Sequence, residues 1–284
     1  MKTKLFSIVI ASAFLASCGG SESHNEKDHK EAATETTEAP AEQEKVSSVA
    51  DFKFHSMIAN LPSPLQTFQI INDVDMTDKM LQLTPPSKAD NLSTTSSKAY
   101  GYGVFITDMG FMAYEQQNQL TLEYLQACRT LANALGAGDI FDKTVTANFE
   151  ENSSEEAKFI KMMDEAFNEM DEYMVNNERF VNATEIFVGS WVESQLIATK
   201  MLKGEPQNAN NLKVWDGIYS QKMHASNLIN VLGEVDDQIG KDIYKSVEDL
   251  MMYYAGFTSV ESITQDDLAE LEAKLLKLKS ELLK

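Results

Sequence analysis

The sequence predicts an all-α protein, a bundle of about seven to nine helices standing behind a polar tether. Three observations carry that prediction. Apolar residues recur at three- and four-residue spacing through most of the chain after residue 51. The 284 residues include only 13 glycines and 6 prolines, too few for a turn-rich β-sandwich. No stretch after residue 51 alternates apolar and polar residues as a half-buried strand does.

The N-terminal segment reads as an address. Lys2 and Lys4 form a basic head, and Leu5 to Ser17 follow without a charge. A helix of that length rises about 20 Å, short of the roughly 30 Å hydrocarbon core, so residues 1–17 suit a signal peptide and not a permanent span. The segment closes on Leu15-Ala16-Ser17-Cys18, which resembles a bacterial lipobox. The resemblance implies cleavage before Cys18, a diacylglycerol thioether on its sulfur and further acylation (palmitate or a similar chain) of the new amino group. Two or three acyl chains anchor a protein stably to a membrane. Cleavage removes two lysines and takes the net charge from −20 to −22, so the expected anchor is lipid and not charge. Gly19, where an aspartate would retain the protein at the inner membrane of enteric bacteria, favours the outer membrane. Glu22, Glu26 and Asp28 resemble the acidic export tether of surface lipoproteins, although Lys27 and Lys30 interrupt them.

Residues 18–50 are expected to form a disordered tether. After Cys18 they carry eight acidic and three basic side chains and no aromatic, too little apolar surface to offset the entropy of ordering. As a flexible coil this segment spans about 30 Å r.m.s., enough to clear the headgroups. His24 and His29 sit inside it as solvated residues.

A single helical domain is expected over 51–284. Ser63, between Pro62 and Pro64, suits an N-cap with proline at the first helical position, and Pro85-Pro86 would stop that helix near Leu83. Residues 87–97 read as a loop. Helices are predicted near 98–115 and 118–135, with a shorter one near 139–149. Phe159, Met163, Ala166, Met170 and Tyr173 form the next stripe, behind N-cap candidates Ser153 and Ser154. Phe180, Thr184, Phe187, Trp191, Ala198 and Met201 mark another, thickened by Val181, Val188, Val192 and Leu202 into a helix buried on several sides. Leu212 to Leu232 and Ile239 to Tyr254 supply two more. The last helix carries a heptad-like seam of Leu268, Leu271, Leu275, Leu278 and Leu282, too short for a free coiled coil.

A net charge of −20 argues against nucleic-acid binding and against electrostatic docking on anionic lipid. The charge pattern gives no catalytic signature. Asp108 is the most suggestive residue, because it interrupts the apolar run Val104 to Tyr114 and shares a helical face with Phe105, Phe111 and Met112. A buried carboxyl must be paired, hydrogen-bonded or protonated. Glu193, beside Trp191 in a second apolar helix, is its expected companion, with Arg179 or Arg129 as counter-charge. That group reads either as a structural polar network between two helices or as an acid/base or recognition point in a cleft.

Other chemistry is weaker. Neither His55 nor His224 has an acid three residues earlier, where Phe52 and Gln221 stand, so the Glu-x-x-His signature of a di-metal bundle is missing. Asp73-Val74-Asp75 lacks the glycine and glutamate of a calcium loop, with Asp78 at the sixth position and Thr84 at the twelfth. No metal or other cofactor is therefore expected. Cys128 reads as a small buried hydrophobe. The run Tyr100-Gly101-Tyr102-Gly103 lacks a phosphate loop's lysine and suits close helix packing. The 14 methionines, among them Met162, Met163, Met170, Met174, Met201, Met223, Met251 and Met252, read as core filling or as the lining of an apolar cavity.

Several segments together resemble a group of helical lipoproteins from Bacteroidota. They are Leu61-Pro62-Ser63-Pro64, Tyr102-Gly103-Val104-Phe105-Ile106-Thr107-Asp108-Met109, Tyr124-Leu125, Leu131-Ala132 with Leu135-Gly136, Asn177 with Arg179, and Gly189-Ser190-Trp191-Val192-Glu193. The chain departs from the group's pattern at Phe105, Met109 and Ser190, which stand for Tyr, Leu and Gly. The similarity covers residues 60–200 in short pieces and implies the lipoprotein address and a helical fold; it carries no activity with it. The functional expectation is an envelope lipoprotein with a non-catalytic binding or structural role, contacting the membrane through Cys18. The alternatives are a carrier of an apolar ligand in a Met/Phe-lined cavity and, third, an acid/base enzyme using Asp108 and Glu193.

Overall fold

Two helices with no polar face set the architecture. In the computed structural model, which describes residues 81–152, 156–234 and 241–284, every described element is helical. Helix α1 (Thr95–Tyr114) is buried without a break from Ala99 to Met112. The later helix Phe180–Leu202 is buried without a break from Ala183 to Thr199. A helix that is apolar all round belongs inside a bundle, and these two pack against each other at its centre.

The remaining helices surround that pair. Behind α1 come α2 (Asn118–Ala134), the single turns α3 (Gly138–Phe141) and α4 (Phe149–Asn152), and α5 (Glu156–Asn176). The central Phe180–Leu202 helix is then α6, followed by α7 (Leu212–Glu234), α8 (Lys241–Ala255) and α9 (Gln265–Leu282). Helix α2 lies on α1, while α5 and α9 lie on α6. Helices α7 and α8 pair with each other, and α8 also reaches α9. The seam Leu268, Leu271, Leu275, Leu278 and Leu282 is wholly buried within this bundle, which accounts for it without a second chain.

The crossing of α1 and α6 is a backbone-to-backbone approach. A Cβ on Gly103 would collide with the Ile186 carbonyl oxygen and the Ser190 amide, and one on Gly189 with the Tyr100 carbonyl. Each helix thus offers a glycine where the other's main chain passes. Beside the crossing, the Thr107 and Ser190 hydroxyls lie 2.6 Å apart, and Thr107 also donates to the Gly103 carbonyl at 2.8 Å. A polar link at the tightest point fixes the register of the two helices.

Most element boundaries agree with the sequence pattern, and the differences have local causes. Helix α1 starts three residues earlier than expected, because Thr94 and Ser97 form a reciprocal cap: the Ser97 amide donates to Thr94 Oγ1 at 3.0 Å and the Thr94 amide to Ser97 Oγ at 3.2 Å. The predicted loop 87–97 also contains a 3-10 turn, Pro86–Asn91. The predicted helix near 139–149 is broken: α3 passes into a π-helical stretch, Asp142–Thr146, before α4. The helix predicted to run to Leu83 falls outside the described residues up to position 80, and 81–84 are not helical. Their carbonyls serve tertiary partners instead, Gln82 accepting from Lys200 at 3.1 Å and Thr84 from Tyr124 at 2.7 Å. Residues 1–80, with the signal segment, Cys18, the tether and the Asp73 run, lie outside the described residues, as do Ser153, Ser154 and Ile239.

No helix among the described residues is long and apolar enough to cross a membrane.

Candidate functional site

Asp108 and Glu193 meet. Asp108 projects from α1 and Glu193 from α6, one turn beyond the Gly103–Gly189 crossing on each helix, and both residues are 0% exposed. Their carboxyl groups lie within hydrogen-bonding reach of each other. Two ionised carboxylates have no proton to share, and of the four oxygens only Glu193 Oε2 meets another group, the Lys279 ammonium. One proton between them resolves the conflict. Burial, and next the Glu193 carboxyl, push Asp108 well above the usual carboxylate range, with Lys279 opposing. Burial and the Glu193 carboxyl thus favour the protonated form of Asp108.

The counter-charge comes from neither arginine that the sequence suggested. It is Lys279, on α9, whose ammonium forms an ion pair with Glu193 Oε2. Lys279 is itself only 6% exposed. Burial opposes its charge, but the Glu193 and Asp108 carboxyls outweigh burial and hold the ammonium above the ordinary lysine range. Three helices thus bring two carboxyl groups and one ammonium together. Removing either member of the Glu193–Lys279 ion pair leaves an uncompensated buried charge, which costs about 3–5 kcal/mol.

Arg179 and Arg129 are engaged elsewhere. Arg179 donates to the Leu135 carbonyl at the end of α2 and to Asn182 Oδ1 at 2.9 and 3.1 Å. Asn182 in turn donates to Glu185 Oε2 at 2.7 Å. Arg179 is thus a clamp joining α2 to the start of α6. Arg129 grips Asp142 with two nitrogens, at 2.7 and 2.8 Å, on the surface, where it holds the Asp142 carboxyl below its usual range.

Cys128 is fully buried, and burial, then Asp108, push its thiol well up, which leaves no thiolate for nucleophilic chemistry. The methionines are spent on packing. Met162, Met163, Met170, Met174 and Met201 are buried in the core, Met251 packs partly against it, and Met223 and Met252 are exposed. Among the described residues no group of three His, Cys, Asp or Glu could hold a metal ion.

A pocket opens beside the ion pair. It encloses about 600 Å³ between α9, the end of α6 and residues 82–88, within the range of small-molecule sites. Lys88, Lys200, Lys279 and Lys284 line it, against a single acid, Glu272. Leu83, Leu276 and Leu283 supply its apolar wall, and none of the methionines named above lines it. Lys279 therefore has two roles: inward it neutralises Glu193, and outward it forms part of the pocket wall. In the sequence Lys279 is one of four lysines near the end of the chain, with Lys274, Lys277 and Lys284. One signal was available in hindsight, since its position follows the buried seam residues Leu271, Leu275 and Leu278 around the same face.

The sequence matches no family model, and no curated protein or solved structure is similar to it.

Proposed function

We propose that this chain is a lipid-anchored protein of the bacterial envelope, attached through Cys18, whose helical domain binds a ligand or partner without chemical conversion. The Leu15-Ala16-Ser17-Cys18 run supports the address, Gly19 favours the outer membrane, and the segments resembling helical lipoproteins of Bacteroidota agree with both. One observation carries the choice of binding over catalysis. Asp108 and Glu193, the two residues best suited to acid/base work, are wholly buried and closed off by the Lys279 ammonium, beside a pocket whose walls hold cations and leucines. A general acid must come within hydrogen-bond reach of the group it protonates, and a carboxyl in that position serves helix registry instead.

Mass spectrometry on the full protein purified gently from its original host tests both parts. The address predicts a mature N-terminus at a lipid-modified Cys18, and a chain starting elsewhere without lipid overturns it. The binding role predicts a reproducible mass excess, or a co-purifying partner, under native conditions that denaturation removes. Catalysis would instead be indicated by a turnover lost in Glu193→Gln with folding retained.

A further inference from the structure

The pocket beside Lys279 is cationic on an acidic chain. The whole molecule carries −20, yet four lysines face one glutamate across this one cleft. Two of the charges are already compensated: Lys279 by Glu193 inside, and Glu272 by Lys203, whose ammonium lies 2.6 Å from Glu272 Oε2. Lys88 and Lys200 have no acidic partner among the described residues, and Lys200 spends a single hydrogen bond on the Gln82 carbonyl. Both are half-buried, so water solvates them less well than a fully exposed lysine. An ammonium carries three donors, so Lys200 keeps unused N–H groups beyond its bond to Gln82. A cleft lined by one sign of charge also focuses the field and concentrates counter-ions.

We infer that this pocket binds a small anion bearing a phosphate or carboxylate group, held by Lys88 and Lys200 beside Lys279, and with any apolar body against Leu276 and Leu283. The inference rests on the binding role proposed above and names the chemistry of its ligand. Lys200, half-buried and tied to the Gln82 carbonyl, is partly ordered before an anion arrives and so loses less rotamer entropy on binding.

Calorimetric titration of the full protein in a neutral detergent tests it, with phenyl phosphate, inorganic phosphate and the uncharged phenyl glucoside as probes. Phenyl phosphate is expected to bind at micromolar to millimolar concentration and to weaken at least tenfold in the Lys88→Gln/Lys200→Gln double variant. Raising the salt concentration should weaken it in the unaltered protein too, a readout that does not depend on how well the variant folds. Inorganic phosphate binding as tightly as phenyl phosphate assigns the site to free oxyanions; phenyl phosphate binding more tightly assigns it to anions with an apolar body. Either result supports the inference. No binding of phenyl phosphate at millimolar concentration, equal binding of phenyl glucoside, or equal binding by a folded double variant overturns it. A native mass excess matching a neutral compound, together with failure of phenyl phosphate to bind, overturns the anionic class while leaving the binding role in place.

Discussion

Helix α6 buries two glutamates, and it treats them differently. Glu185, 1% exposed near its start, is met by dipoles: Asn182, itself held by Arg179, donates to it, and the Ser96 hydroxyl adds a second hydrogen bond. Glu193, two turns on and 0% exposed, is met by a full charge from Lys279 and by the Asp108 carboxyl, which burial pushes toward its protonated form. Burial raises the Glu185 carboxyl above its usual range despite its donors and the nearby Arg179. The two arrangements differ in how much of the bundle they depend on. Most of the support for Glu185 lies within one turn, and its failure would leave the rest of the bundle intact. The partners of Glu193 come from α1 and α9, so the site exists only when three helices are docked together.

Breaking the second site should therefore cost more. Lys279→Met is expected to lower stability by about 3–5 kcal/mol, because Glu193 then lies buried without its counter-ion. Replacing the whole set with Asp108→Leu, Glu193→Met and Lys279→Leu should recover most of that loss, as apolar side chains of similar volume need no pairing. Denaturant melts of the single and triple variants check this, and a triple variant no more stable than the single one would refute charge pairing as the cause.

The crossing that aligns the two sites comes next. Gly189→Ala is expected to cost about 1–3 kcal/mol by forcing α6 away from the Tyr100 carbonyl. Both glutamate sites should suffer, since Asp108 and Ser96 would each move from their glutamates. Glu185→Gln should cost about 1–2 kcal/mol, less than the loss of Lys279, because an amide keeps one acceptor for Asn182.

Protonation of Asp108 makes a prediction with a definite sign. Its carboxyl is raised in the folded state, so the native protein keeps a proton that the unfolded chain releases near pH 4. Stability from this group is full below the unfolded value and falls as pH climbs toward the folded value, by about 1.36 kcal/mol per pH unit in that window. Asp108→Asn, neutral at every pH and still a donor to Glu193, should cost under about 1 kcal/mol at acid pH and lack that falling limb. Denaturation curves of the two proteins between pH 4 and pH 8 give the difference directly. A constant difference across that range would mean that Asp108 is ionised in the fold.

The smallest effect concerns helix ends. Gln116 and Glu178 follow α1 and α5 with φ of 55° and 58°, in the left-handed region where glycine is unstrained. Gln116→Gly and Glu178→Gly are each expected to add about 0.5–1 kcal/mol, measurable as a rise in melting temperature. Glu178 adjoins the Arg179 clamp, so its substitution also shows whether that end of α6 depends on the strained turn.

The chemistry read from the sequence was partly local and partly not. Asp108 and Glu193 stood out because each is a charge inside an apolar run, and periodicity alone put both on buried helices. Their meeting was a reasonable expectation because the two most apolar helices of a bundle tend to share its centre. Lys279 could not be chosen the same way, because in the sequence it is one of several lysines near the end of α9. Only its angular position relative to the leucine seam, and the docking of that seam on α6, turn it inward. Arg179 shows the converse, since a cation near an apolar helix is as well suited to closing the carbonyls of a neighbouring helix as to neutralising an acid.

Composition and periodicity were sufficient for the helical class, for α6 as a helix buried on several sides, and for the glycines of α1 that suit close packing. Such features are properties of one helix at a time, set by side-chain spacing of about 3.6 residues per turn. The partner of Glu193, the site of the shared proton and the lysine-lined pocket were decided by tertiary structure alone. A charge is fixed by what lies a few ångströms away through space, and for Glu193 that neighbour is Lys279, brought from the far end of the chain by the packing of α9 on α6.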